Sequence, residues 1–245
     1  CVSRSVPISS PQLIHMPLDL SEPEDIKKLV IDCPAVDGIV FNAGGMPQER
    51  PAKCNLMDID RLYLLHVLGP AWITRQFFNL NKLRNDSRVT VVTSGGALPT
   101  PLNVEFMGQL TEPYNKIKQY AFHKRYQIHL VEHFEKNYKE SSCSFFSMHP
   151  GWVDTPGLVQ GMPSFHKFTR SILRNPDDGA DTIDWLMCSE QQESGKMYFD
   201  RKMINTYPLF WVKREPKSVM LFMHNLEKQL GEFELTFDEV SHQSA

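Results

Sequence analysis

A tyrosine and a lysine four residues apart, Tyr114 and Lys118, have the side chains and the spacing for proton transfer. They open a run from residue 114 to 138 without proline or glycine, which predicts a long amphipathic helix with Pro113 in its first turn. On a helix, residues four apart lie on the same face, so the ammonium would lie beside the phenol. A neighbouring cation lowers a phenol pKa that is normally about 10, which allows proton exchange near neutral pH. The pattern alone also fits a surface tyrosine with a lysine beside it.

Length and composition indicate one large domain of an ordinary globular protein. The chain has 245 residues, of which 41% are hydrophobic and 22% charged, enough for a sizeable core. A net charge of −3 gives no electrostatic reason to expect binding to nucleic acid or to an anionic membrane. No apolar run approaches the roughly 20 residues that cross a bilayer. The five cysteines never form Cys-x-x-Cys, which predicts free thiols in a reducing compartment and a cytoplasmic location.

Strands alternate with helices along the sequence, which predicts a parallel sheet with helices on both faces. The predicted strands are residues 13–18, 36–41, 88–93, 143–148 and 196–199. The predicted helices are residues 21–31, 57–83, 114–138, 163–173, 176–187 and 217–233. Since ligands of such sheets bind at the carboxyl ends of the strands, three strand ends should share one rim. They are Asn42-Ala43-Gly44, Ser94-Gly95-Gly96 and Pro150-Gly151.

The helix that Tyr114 opens follows the strand that ends at Ser94, so a serine hydroxyl, a phenol and an ammonium can converge at that rim. In this order the motifs resemble the short-chain dehydrogenase/reductase family. The matching motifs are Asp19-Leu20, Asn42-Ala43-Gly44, Ser94, Tyr114-x-x-x-Lys118 and Pro150-Gly151-Trp152-Val153-Asp154-Thr155. Residues 147–157, 179–182 and 198–201 resemble one branch of the family, the dehydrogenase/reductase member-twelve type.

This resemblance implies a three-layer Rossmann-like α/β fold in a single domain over residues 1–245. It also implies an oxidoreductase that transfers a hydride between NADP(H), or alternatively NAD(H), and a carbonyl or alcohol. Tyr114 would be the acid and base, Lys118 would lower its pKa and hold the nicotinamide ribose, and Ser94 would orient the substrate oxygen. Arg4 would pair with the 2′-phosphate of NADP because its planar fork suits a phosphate. The implied cofactor-binding residues are Arg4, Asp19, Leu20, Asn42, Ala43, Gly44, Tyr114, Lys118, Pro150, Gly151, Val153 and Thr155.

Two features depart from the family pattern. The glycine-rich turn Gly-x-x-x-Gly-x-Gly, which binds the pyrophosphate, does not occur in the 245 residues. We therefore expect the domain to be incomplete at its N-terminus, so that the strand at 13–18 lacks a neighbour. Such a domain should fold weakly and bind a dinucleotide poorly. The alternative is a non-catalytic relative that serves as a binding or regulatory protein. His66 stands where the family carries an asparagine that supports the lysine, so His66 is a further candidate catalytic residue.

Other patterns carry less chemistry. His129 and His133 have the i, i+4 spacing of a metal pair, but no third ligand is evident, and we expect no metal site. No glycine precedes Ser94 as a nucleophile elbow would require, which argues against a hydrolase.

The substrate would be a small carbonyl or alcohol compound, and the apolar residues after Thr155 hint that it is lipophilic. These residues are Leu158, Val159, Met162 and Phe165. The last predicted helix could dock on a partner subunit, so a homo-oligomer is possible.

Overall fold

A five-stranded sheet forms the centre of the computed structural model, which describes residues 1–4, 12–190 and 192–243, with side chains as far as residue 236. Its strands are β3 (Val36–Phe41), β4 (Leu83–Val92), β5 (Ser144–Met148), β6 (Lys196–Phe199) and β7 (Lys202–Ile204). They lie in the order β3-β4-β5-β6-β7, with all pairs parallel except β6 and β7. A separate two-stranded parallel sheet pairs β1 (Val2–Ser3) with β2 (Met16–Pro17).

Helices flank the five-stranded sheet. The α-helices are α1 (Pro23–Asp32), α2 (Arg61–Tyr63), α3 (Gly69–Asn79), α4 (Lys116–Asn137), α5 (Pro156–Gly161), α6 (Pro163–Thr169), α7 (Pro176–Cys188) and α8 (Pro216–Gln243). One π turn (Leu64–Leu68) joins α2 to α3, and short 3-10 turns occupy Gly95–Ala97, Val104–Phe106 and Arg170–Ile172. Within the described residues, none of these helices has the combined length and apolarity of a membrane span.

Alternation along β5 shows that both faces of the sheet are covered. Phe145 packs into the large core cluster, which includes Phe134 of α4 and Phe222 of α8. Its neighbour Phe146 points to the opposite face and packs with Leu186 of α7. The layered parallel sheet predicted from the sequence is therefore confirmed.

Local sequence explains why α4 begins where it does. Asn115 has extended backbone angles, and its side chain accepts the N–H of Lys118, as an N-cap residue does. From there to Asn137 no proline or glycine interrupts the helix. The helix predicted from residue 114 is thus two residues shorter at its start, and this difference leaves Tyr114 outside the helix.

Several predicted elements differ from the observed ones. The strand expected at residues 13–18 shrinks to Met16–Pro17, and the expectation that it lacks a neighbour is wrong because it pairs with Val2–Ser3. The helix expected over 57–83 is divided by the π turn and ends at Asn79. Strand β7 was not predicted from the sequence, and it follows a two-residue turn at Asp200 and Arg201 with φ of 49° and 58°.

Candidate active site

The rim predicted from the strand ends is present. The parallel strands β3, β4 and β5 are neighbours, so Asn42, Ser94 and Pro150 follow them at the same edge of the sheet. Thr93 fixes the end of β4, because its N–H donates to the carbonyl of Met148 at 2.7 Å and its hydroxyl to the carbonyl of Lys124 at 2.6 Å. The second of these bonds ties helix α4 to this edge.

Tyr114 and Lys118 do not have the predicted arrangement. Tyr114 precedes α4, and its phenol donates to the carbonyl of Pro47 at 3.1 Å. Lys118 is exposed, with its ammonium 5.6 Å from the ring centroids of Phe106 and Phe122. Burial, together with the negative charge of Asp60, raises the pKa of Tyr114. The expectation of a paired ammonium that lowers this pKa on one helix face is therefore wrong.

A second tyrosine and lysine with the same spacing, Tyr120 and Lys124, reach the rim from α4. The phenol of Tyr120 lies near the side chain of Ser94. Burial raises the pKa of Tyr120, and the polar side chain of Ser94 offsets part of that rise. The Lys124 ammonium lies 5.4 Å from the Tyr120 ring centroid and donates to the carbonyl of Val92, the last residue of β4, at 2.8 Å.

Burial controls the charge of Lys124. The residue is 3% exposed, and removal from water lowers the pKa of its ammonium to about 7. Among the described residues, the Val92 carbonyl is its hydrogen-bond acceptor. An ammonium has three N–H donors, so the site can offer further donors to a bound molecule.

A signal for Tyr120 and Lys124 was present in the sequence. The Tyr-x-x-x-Lys pattern occurs three times, at residues 114, 120 and 198, and the first two copies lie in or beside the helix predicted from residue 114. Recognising Asn115 as the N-cap would have placed Tyr114 outside the helix and Tyr120 in its second turn. The predicted start of the helix was instead placed at the first copy of the pattern, because Pro113 suits the first turn of a helix.

His66 lies against this pair from the π turn. Its ring is fully buried and meets the Tyr120 ring edge-on at 6.0 Å between centroids. The N–H of Gly45 donates to Nε2 of His66 at 3.1 Å, and Nδ1 of His66 lies 3.1 Å from Nδ1 of His123. A Cβ on Gly44 would come within 3.0 Å of Nε2, so glycine at this position lets the loop after β3 approach the histidine. The structure therefore brings Ser94 and His66 together with Tyr120 and Lys124.

The residues expected to bind a cofactor occupy three regions. Asn42, Ala43 and Gly44 are exposed after β3. On the two-stranded sheet side, Arg4 lies 3.9 Å from the carboxylate of Asp19, and Leu20 beside it is half-buried. After β5, Pro150 and Gly151 lead into a backbone bridge between Val153 and Arg174, and Thr155 caps α5 by accepting the N–H of Leu158. Their role in cofactor binding stays a prediction.

The two candidate metal ligands have other partners. Nδ1 and Nε2 of His129 lie 2.9 Å from the carboxylate of Glu132 and the hydroxyl of Tyr207, respectively. Nε2 of His133 lies 2.9 Å from the carboxylate of Glu227. Within the part of the chain that the structure describes, no three His, Cys, Asp or Glu side chains are placed to hold a metal ion.

Comparison with known proteins places the chain in a family. No protein-family model matches it. The human protein named dehydrogenase/reductase SDR family member 12 is 32% identical over 218 residues, which cover 86% of this chain and 68% of that protein. A solved structure of an uncharacterized protein from Mycobacterium Paratuberculosis superposes with a TM-score of 0.63 at 18% identity, covering 88% of this chain and 74% of the other. The NADPH-bound carbonyl reductase from chicken fatty liver superposes with a TM-score of 0.54 at 18% identity, covering 76% and 74%, respectively. The two structures share the fold, and the human relative shows that this chain belongs to the short-chain dehydrogenase/reductase family of oxidoreductases.

Proposed function

We propose that the chain binds a nicotinamide dinucleotide at the rim of its sheet and transfers a hydride between it and a carbonyl or alcohol substrate. The observation that carries this proposal is the convergence of Ser94, Tyr120 and Lys124 at the carboxyl end of β4. A phenol and a hydroxyl that lie close together can hold one carbonyl oxygen between them and deliver a proton to it.

Each residue has a role that follows from its contacts. Tyr120 is the general acid when a carbonyl is reduced and the general base when an alcohol is oxidised. Ser94 donates a hydrogen bond to the same substrate oxygen and orients it toward the phenol. Lys124, while protonated, favours the phenolate because its ammonium lies against the Tyr120 ring. The nicotinamide ring, when bound, supplies or accepts the hydride.

The site fits the nicotinamide half of such a cofactor. The Lys124 ammonium has donors to offer, which suit the ribose hydroxyls beside the nicotinamide. The exposed backbone at Asn42, Ala43 and Gly44 can line the cleft on one side, and Val153 and Thr155 can hold the carboxamide on the other. NADP is the form we propose, because Arg4 offers a guanidinium for a 2′-phosphate. The carboxylate of Asp19 beside Arg4 opposes that choice, and NAD is the alternative.

The substrate that we propose is lipophilic. Apolar side chains are exposed on the segment after Thr155, with Val159 41% exposed and Phe168 84% exposed. Trp152, which precedes this segment, is 55% exposed and meets Phe165 edge-on at 5.2 Å. An alkyl or aryl group would cover this surface and leave water, which favours binding.

A non-catalytic binding or regulatory role is the second candidate. It is favoured by one observation, that no Gly-x-x-x-Gly-x-Gly turn for the pyrophosphate occurs in the 245 residues. Titration of the chain with NADPH and NADH, followed by fluorescence, separates the two candidates. Saturable binding supports the oxidoreductase, and no binding at millimolar cofactor supports the non-catalytic role.

The two tyrosines provide a matched test of the site. We expect Tyr120→Phe to lower turnover of lipophilic aldehydes and ketones by about 100-fold or more, because the general acid is lost. Tyr114→Phe removes the same hydroxyl six residues earlier and should change turnover less than about 2-fold, since that hydroxyl donates to the Pro47 carbonyl and has no role in the proposed reaction. The measurement is NAD(P)H oxidation with each variant under the same conditions. Loss of activity in Tyr114→Phe with full activity in Tyr120→Phe would assign the chemistry to the first pair instead.

A further inference from the structure

A continuous row of buried polar groups runs from the rim to the interior behind the site. The row begins at the N–H of Gly45, which donates to Nε2 of His66 at 3.1 Å. Nδ1 of His66 faces Nδ1 of His123 at 3.1 Å. Nε2 of His123 lies 3.7 Å from Oδ2 of Asp60. The three side chains are at most 1% exposed, so the row is closed to solvent behind its outer end at the half-buried Gly45.

Asp60 forms the inner end of the row. Its Oδ1 caps α2 by accepting the N–H of Tyr63 at 2.8 Å, whereas its Oδ2 is buried without a hydrogen-bond partner among the described residues. A buried oxygen that lacks a partner is costly. Nε2 of His123 needs to approach by about 0.5 Å to reach hydrogen-bonding distance, a small movement for a ring.

Two proton arrangements of the histidine pair are possible, and each leaves one contact unmade. In the first, His66 accepts from Gly45 and carries its proton on Nδ1, which donates to His123. His123 then carries its proton on Nε2, which faces Asp60. In this arrangement the amide nitrogen of Gln119, 2.9 Å from Nε2 of His123, meets an N–H instead of a lone pair.

The second arrangement satisfies Gln119 instead. The orientation of Gln119 is fixed, because its Oε1 accepts the N–H of Thr111 at 2.9 Å and its Nε2 donates to the carbonyl of Gln109 at 3.1 Å. Gln119 can then donate to Nε2 of His123, whose proton moves to Nδ1 and is donated to His66. The proton of His66 now lies on Nε2 and faces the rim, where it meets the N–H of Gly45.

We propose that His66 and His123 form a proton relay between the catalytic rim and Asp60, which stores the proton. Its role in the reaction rests on the proposed hydride-transfer function. A proton that binds Nε2 of His66 at the rim displaces the Nδ1 proton to Nδ1 of His123. The Nε2 proton of His123 then passes to Oδ2 of Asp60. One proton enters and one carboxylate becomes a carboxylic acid, so protons and charge balance, and the two rings change from the first arrangement to the second. The reverse sequence returns a proton to the rim, where Tyr120 loses one during carbonyl reduction.

The charges around the row favour passage of a proton through the two histidine rings over its retention on either ring. Burial and the Lys124 ammonium lower the pKa of His123 to about 3, and the same causes together with His123 lower the pKa of His66, so neither ring readily becomes an imidazolium. Burial raises the pKa of Asp60 to about 6, whereas the N–H groups of Tyr63 and Leu62 lower it. The titratable groups that face Asp60 are His123, Tyr63, Tyr114 and Tyr126. The carboxyl can therefore gain and lose a proton near neutral pH while the rings stay neutral.

Nuclear magnetic resonance of the full chain with 15N-labelled histidine and 13C-labelled aspartate tests the relay without any substrate or cofactor. We expect the rings of His66 and His123 to change from one tautomer to the other together between pH 5 and 8. The midpoint of this change should coincide with the midpoint of the Asp60 carboxyl titration. Fixed tautomers throughout this range, or double protonation of either ring, would overturn the proposal.

Two variants make the test specific. Asp60→Asn keeps an oxygen for the Tyr63 N–H but cannot take up a proton, so it should hold both rings in one arrangement at every pH. Glu227→Gln removes the carboxylate beside His133, another buried histidine, and should leave the His66 and His123 titration unchanged. An unaltered tautomer change in Asp60→Asn would overturn the role of Asp60.

Turnover provides a second readout that separates the relay from the proposed function. Asp60→Asn should lower kcat by roughly 10-fold, remove one ionisation from its pH profile and leave KM unchanged, because the residue does not touch the substrate. A tautomer change in a chain without any turnover would retain the relay and reject the oxidoreductase. Turnover in a chain with fixed tautomers would retain the oxidoreductase and reject the relay.

Discussion

At the scale of single residues, burial moves the titratable groups around the site toward their neutral forms. It lowers the pKa of Lys124 to about 7 and that of His123 to about 3, and it raises that of Asp60 to about 6. Desolvation is the main cause in each case, because a charge loses its hydration when it leaves water. Near pH 7 the His123 ring is therefore neutral, whereas Lys124 and Asp60 have pKa values close enough to this pH to gain and lose protons.

The elevated pKa of Asp60 makes stability depend on pH. Because the folded state raises this pKa from 3.8 to about 6, the protonated carboxyl is the better-tolerated form. The stabilisation from this carboxyl is fully present below pH 3.8 and is lost as pH rises through 6. The total loss in the free energy of unfolding is at most about 3 kcal/mol. Asp60→Asn should remove this decline, so that urea unfolding at pH 7.5 shows a variant more stable than the parent chain.

Exposed Asp58 provides the control for this prediction. Its side chain is 74% exposed and pairs with Lys53 at the surface, so Asp58→Asn should change the free energy of unfolding by less than about 1 kcal/mol at any pH. If Asp60→Asn follows the same pH profile as the parent, the carboxyl of Asp60 does not titrate in the range that its burial implies.

At the scale of elements, the π turn positions His66. The N–H of Gly69 bonds to the carbonyl of Leu64, five residues earlier, which widens the helix at this point. A Cβ on Gly69 would lie 2.8 Å from the Leu64 carbonyl oxygen and 3.1 Å from Cδ1 of Ile26. Because a backbone atom cannot move as a flexible side chain does, glycine is required here for the close contact of the turn with α1.

Two helix glycines should respond to alanine in opposite directions. Gly69→Ala should lower the free energy of unfolding by about 1–3 kcal/mol, because the added methyl group forces the π turn and Ile26 apart. Gly231→Ala meets no atom within 4 Å and should raise stability by roughly 0.5–1 kcal/mol through helix propensity. Thermal or urea unfolding of the pair checks both signs. A stabilised Gly69→Ala chain would show that the π turn tolerates a side chain.

The sequence predicted elements well where the pattern was local. Both ends of the strand Val36–Phe41 were predicted correctly, and the ends of the helix Pro176–Cys188 were predicted to within one residue. The reason is that turn and capping signals flank both elements. Elements that depend on distant contacts were missed. Strand β7 forms because it pairs with β6, and Tyr120 reaches Ser94 because α4 packs against the end of β4. The sequence therefore predicted a tyrosine and lysine of this spacing at the rim, but the structure brings a later copy of the pattern to Ser94, and its catalytic role stays a prediction.

At the scale of the whole molecule, pairing is uneven across the two sheets. Strands β4 and β5 have neighbours on both sides and are covered by helices on both faces. Strand β3 pairs on one side, with β4. In the two-stranded sheet, Val2–Ser3 pairs with Met16–Pro17 over two residues, and nearby Ile14 is 80% exposed. Local stability should follow this order, because openings are easiest where few buried contacts must be broken.

Amide hydrogen exchange measures this order directly. We expect the slowest exchange in β4 and β5, intermediate rates in β3, and the fastest in the amides of Met16 and Leu18, which bond to the carbonyls of Cys1 and Ser3. Exchange from β4 reports global unfolding, so it also tests the expectation that these 245 residues fold weakly. Fast exchange in β4 supports weak folding, and slow exchange contradicts it. Equal protection of Met16 and β4 would show that the two-stranded sheet unfolds together with the core, and Arg4 and Asp19 would then be held as firmly as the rim of the five-stranded sheet.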